Sequence, residues 1–110
     1  MTYNELAAAL KRTGIPFEEG AWWRAHTMKG DYGAYAVDGR NDLKSDGTSS
    51  EKMLEGTVDL FTRGSNGLRQ AAIVEDAMDS VGAAWEVSMA ANYEETTGLT
   101  HWEWVFHCLP

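Results

Sequence analysis

The chain has 110 residues, with 9 Lys and Arg against 17 Asp and Glu, and 44% of its residues are hydrophobic. That is the length of one domain, too apolar for a disordered acidic tail, and it has no run near the ~18 apolar residues that cross a bilayer. The net charge of −8 argues against gripping a phosphate backbone, and the single cysteine forms no internal disulfide.

The start, Met1-Thr-Tyr-Asn-Glu5, has no basic region followed by an apolar stretch, so no secretory signal is expected. Thr2 and Glu5 have capping-box spacing, and Leu6, Ala9 and Leu10 follow at helical intervals. A first helix is predicted over 3–13, stopped by Gly14. Pro16 forces Ile15 out of helical space, so a short strand is expected from there to Trp23, broken near Gly20. Tyr32 to Asp38 alternates as a strand does. Gly39–Ser50 is polar and rich in turn formers, and reads as a mobile loop between two strands. In the next strand, Lys52–Thr62, Leu54, Gly56, Val58 and Leu60 share one face.

Ser65 or Asn66 is positioned to cap a second helix, predicted over 66–82 from Leu68, Ala71, Val74, Met78 and Val81 and ended by Gly82. Trp85, Val87, Met89, Ala91 and Tyr93 then alternate with smaller or polar residues. Trp102, Trp104, Phe106 and Cys108 alternate with His101, Glu103, Val105 and His107. The two strands form a hairpin. The fold class is α+β in one domain, residues 1–110. A mixed, mainly antiparallel sheet of four to five strands carries two helices on one face and leaves the other free, in the order α-(β)-β-β-α-β-β.

Candidate chemistry is sparse. His101 and Glu103 share a strand face and are ligand types for zinc or iron, but a zinc site needs three or four ligands, so they read as solvent-facing polar residues and no metal is expected. Cys108 continues the aromatic face while His107 points away, which leaves the thiol without a base. Read from Asp42, Asp46 and Gly47 fall at the fifth and sixth positions of a calcium loop, but Lys44 and Met53 occupy ligand positions and break it. Gly64-Ser-Asn-Gly67 lacks the Lys of a phosphate loop. Trp22 and Trp23 are adjacent, so in an extended segment they point opposite ways, and an exposed Trp is a frequent anchor of protein contacts. No catalytic set and no cofactor emerge, and the chain reads as a protein that is not an enzyme.

The ordered elements resemble those of the small tail-terminator (tail-completion) proteins of long-tailed bacteriophages, of the phage lambda type. The likeness runs through Tyr3-Asn-Glu-Leu-Ala…Leu10, Gly14-Ile-Pro16-Phe17, Asp31-Tyr-Gly-Ala-Tyr-Ala-Val-Asp-Gly39, the polar segment, Val58-Asp-Leu-Phe-Thr62, a helix, and the two strands of the aromatic C-terminal hairpin. Many relatives carry a Pro-rich stretch where this chain has His26-Thr-Met-Lys-Gly30. The resemblance implies a homohexameric ring that caps the tail tube, stops its growth and offers a docking surface for the head–tail connector. Its partners would be further copies of itself, the tail-tube protein and the connector protein. DNA would be passing cargo only, and no membrane would be involved. The place would be the virion tail, assembled in the bacterial host cytoplasm. Trp22, Trp23, Arg40, Asp42, Lys44 and Asp46 are the expected subunit or tail-tube contacts. A different small connector or capsid-associated protein, or an acidic non-catalytic inhibitor, remains the alternative reading of the same features.

Overall fold

A computed structural model describes the backbone of residues 1–45 and 48–110 and the side chains of residues 1–39 and 53–110. Helix α1 (Tyr3–Lys11) starts where the sequence places it. The Thr2 hydroxyl accepts from the Glu5 N–H and the Glu5 carboxylate returns to the Thr2 N–H, so two orphan donors of the first turn are satisfied. Strand β1 (Phe17–Glu19) is short. Strands β2 (Tyr32–Ser45) and β3 (Thr48–Arg63) are long, and helix α2 (Leu68–Ser80) separates them from the hairpin of β4 (Ala84–Glu94) and β5 (Leu99–Cys108).

The five strands lie in the order β1-β2-β3-β5-β4, with β1 parallel to β2 and the other pairs antiparallel. The fold is α+β, as the alternation of helical and strand periods predicts. Both helices pack on one face. Leu6 and Leu10 of α1 and Ala71, Val74 and Met78 of α2 close over Tyr35, Val58, Leu60, Trp102, Trp104 and Phe106, forming one core.

Indole N–H groups fasten α2 to this face. Trp104 donates to Glu75 at 2.9 Å, Trp85 to Asp79 at 2.8 Å, and Trp102 to the Asn66 carbonyl at 2.9 Å. Glu75 and Asp79 stand four residues apart, one turn of helix, so two indoles meet one acidic row. A buried indole needs such an acceptor, and the acids beside the apolar stripe supply it. The cap of α2 differs from the expectation. Gly67 is the N-cap at φ 75°, a left-handed conformation that a side chain adopts only with strain, while Asn66 Oδ1 accepts from the Leu68 N–H.

Three other expectations are corrected. The strand expected to run to Trp23 ends at Glu19: Trp22–Thr27 is a 3-10 helix, reached through a turn at Gly20. The Arg63 guanidinium holds its end by donating to the Met28, His26 and Ala25 carbonyls at 2.9, 3.2 and 3.4 Å. This helix also covers one end of the second sheet face, where Ala21 and Ala25 pack on Tyr32, Ala34, Phe61 and Leu99, so that face is not wholly free. Finally, the segment 39–50 read as a loop is mostly strand. Backbone pairing continues from Gly39↔Glu55 through Leu43↔Glu51 to Ser45↔Thr48, leaving Asp46 and Gly47 outside the described residues. Polar composition says that neither face of a strand is buried; it does not prevent backbone pairing.

That pairing runs past the sheet. The β3–β5 ladder ends at Leu54↔Cys108, and β1 touches β2 only at Gly33–Tyr35. Beyond these points β2 and β3 form a two-stranded ribbon. The 16 residues of β3 span about 50 Å at ~3.3 Å each, which accounts for the 51 × 25 × 20 Å shape of the molecule.

Candidate functional site

The uncovered part of the second face holds the chemistry. β3 and β5 pair in register, so Asp59 stands opposite Glu103 and Phe61 opposite His101. Alternate residues share a face, and all four side chains therefore project from the side away from the two helices. His101 Nε2 lies 2.7 Å from Asp59 Oδ1, and its ring stacks on Phe61 with centroids 4.4 Å apart and planes 16° from parallel. His101 Nδ1 faces Glu94 Oε1 at 4.0 Å. The Ser88 hydroxyl donates to Glu103 Oε1 at 2.7 Å. Trp22, Asp38 and Thr57 complete an open pocket around the cluster.

Electrostatics single out Glu103. Burial pushes its carboxyl above the usual range. The Ser88 hydrogen bond pulls it down, and Asp59 pushes it up again, by hydrogen bonding and by like charge. Asp59, His101 and Glu103 each offer one ligand atom, and the three atoms lie within 4.8 Å of one another.

The sequence places His101, Glu103 and His107 on one face, and they are there, but half-buried rather than solvent-facing. His107 is drawn into a separate pair with Glu55 at 2.9 Å. Asp59 is the residue that sequence reasoning misses. Alternation assigns it to the polar face of β3, but only the register with β5 sets it opposite Glu103, and periodicity carries no register. Cys108 is buried on the core face, and burial raises its thiol pKa, consistent with a packing role.

Of the expected contact residues, Trp22 and Trp23 are both exposed, at 60% and 55%, with their rings edge to face. A turn of 3-10 helix replaces the strand that would have sent them to opposite sides. Trp22 reaches the pocket; Trp23 is not among its lining residues. The backbones of Arg40, Asp42 and Lys44 lie in the ribbon arm of β2. Their side chains, and Asp46 entirely, lie outside the described residues.

The molecule has a second open feature. β4 is an edge strand, and its pairing with β5 shifts register between Val87 and Met89 and again between Met89 and Asn92, near Ala91 at φ 46°. Val87 and Tyr93 are 42% and 62% exposed. Its expected alternation is therefore broken: Trp85 and Val87 lie on the helix side, opposite Phe106 and Trp104, whereas Met89 lies opposite Glu103 on the other face. No protein-family model matches the chain, and no curated protein matches it.

Proposed function

We propose that the protein is a structural subunit of a ring of the tail-terminator type, which caps a phage tail tube and offers a surface to the head–tail connector. The observation that carries this reading is the β2–β3 ribbon. Among the described residues no third strand pairs with the ribbon, and a two-stranded ribbon is marginal in water and gains by docking on a neighbour. The ribbon continues past the last β3–β5 pair, Leu54↔Cys108, as an arm that would reach an adjacent subunit or the tube. The bulged β4 edge, with Val87 and Tyr93 exposed, supplies a second surface on the opposite flank of the sheet. Two different surfaces suit the head-to-tail contacts from which closed rings of identical subunits are built. The order α-(β)-β-β-α-β-β that accompanied the resemblance is also the order of the folded elements, with a 3-10 helix between β1 and β2.

The test is native mass spectrometry across a concentration series, with negative-stain imaging of large species. The expected product is a ring of about 73 kDa, six copies of a 12.2 kDa chain, forming alone or on purified tail-tube protein. A protein that stays monomeric with tube protein present, while tubes grow without limit, overturns the reading. Tight monomeric binding to a basic partner would then favour the acidic inhibitor, for which the net charge of −8 is the supporting feature.

A further inference from the structure

We propose that Asp59, His101 and Glu103 bind one divalent transition-metal ion, an inference that stands apart from the ring reading. Two adjacent, fully paired strands deliver the three ligands to one spot, so the backbone presets the site. A zinc ion with bonds of about 2.0–2.2 Å holds its ligand atoms roughly 3.3–3.5 Å apart when tetrahedral. Here the atoms lie within 4.8 Å of one another, with the Asp59–His101 pair at 2.7 Å. The near pair has to open by about 0.7 Å, and a pair at the 4.8 Å limit would have to close by about 1.4 Å, within the reach of side-chain rotation.

The surroundings are those that metal ligands require. A ligating histidine turns its other ring nitrogen to a carboxylate or carbonyl, and a ligating carboxylate is itself hydrogen-bonded. Glu94 Oε1 stands 4.0 Å from His101 Nδ1 and would have to approach by about an ångström to accept from it, while Phe61 stacks on the ring and Ser88 already donates to Glu103. Like charges directly opposite each other on a sheet are destabilising. Asp59 and Glu103 stand so, and no Lys or Arg lines their pocket among the described residues. A dication removes that repulsion. One imidazole and two carboxylates suit zinc, manganese, cobalt or ferrous iron; a soft cuprous ion would want sulfur, and calcium or magnesium would want oxygen alone. Three protein ligands at an open pocket leave a position for water or a further group.

Calorimetric titration of Zn²⁺ into the EDTA-treated, dialysed full chain tests this, with visible absorption of Co²⁺ as a second probe. The expected result is one ion per chain and a Co²⁺ spectrum of low coordination number. His101→Ala, Asp59→Asn and Glu103→Gln should each weaken binding about tenfold or more, while His107→Ala and His26→Ala bind as the wild type does. The Asn and Gln variants keep size and shape, so they carry the test if His101→Ala fails to fold. Absence of saturable binding at millimolar Zn²⁺ overturns the site. So does binding that survives Asp59→Asn and Glu103→Gln together, or that is lost in His107→Ala.

Discussion

Trp102, Trp104 and Phe106 of β5 lie beneath two helices, while His101, Glu103 and His107, each one position away, stand half-buried among acids on the other side. Both faces contain stacked rings: Trp102 on Trp104 with centroids 5.9 Å apart, and His101 on Phe61 at 4.4 Å. The physics of the two faces differs. On the helix face, the stacked rings exclude water and their polar atoms are spent on α2. On the other, the ring is a wall that orients a nitrogen toward carboxylates. The same strand thus carries stability on one side and ionisable chemistry on the other. Substitutions on the two faces should fail in different ways.

The largest effect is expected from Trp104→Ala. Its side chain is fully buried at the centre of the core, and its indole donates to Glu75. Removing a buried aromatic costs about 3–5 kcal/mol, a large share of the ~5–15 kcal/mol that a domain holds. The Glu75 carboxylate also loses its donor. Urea unfolding should show a sharply lowered midpoint, and a loss below 1 kcal/mol would mean that the helix face is not the stabilising one.

Next is Gly56→Ala, which tests the same face from β3. A methyl there would sit 2.2 Å from the Ala36 carbonyl oxygen and 2.4 Å from Phe106 Cζ. The first neighbour is backbone and has no rotamer to change. Overpacking of this kind costs about 1–3 kcal/mol, and the variant should show it in the same urea titration. A neutral result would mean that β2 and β3 separate here at little cost, which would also weaken the case for a continuous ribbon.

Much of the helix face is legible in the sequence because burial imposes a period. Leu54 to Leu60 and Trp102 to Cys108 alternate, Ala71, Val74 and Met78 recur at three and four, and Thr2 with Glu5 marks a helix start. The second face is less legible because its partners meet through register. Asp59 finds Glu103 and His101 only once β3 and β5 are aligned. Residues 22–27 are illegible for a related reason: the carbonyls at the end of their 3-10 helix are held by Arg63, 35 to 38 positions away. The ribbon was obscured by composition, although Asp46-Gly47 is a dipeptide that hairpin turns favour.

The smallest predicted effect belongs to Glu103→Gln, measured in EDTA, and its sign is opposite to that of the core variants. Burial and Asp59 raise the folded-state pKa of Glu103 above its ordinary value of 4.5. Between the ordinary and the raised value the folded state holds more proton than the unfolded state, so wild-type stability falls as pH rises through this window. Above it the charged carboxylate is a standing cost, since it faces Asp59 across the strands. An amide removes the charge, still accepts from the Ser88 hydroxyl, and gains an N–H that can donate to Asp59. The urea midpoint of Glu103→Gln should therefore equal or exceed that of the wild type at pH 7, and the difference should shrink as pH falls toward 4. A variant less stable than the wild type at pH 7, with a difference that does not change with pH, would mean that Glu103 is held by packing. The contrast between the two faces of β5 would then be one of degree, with no distinct electrostatic role for the second face.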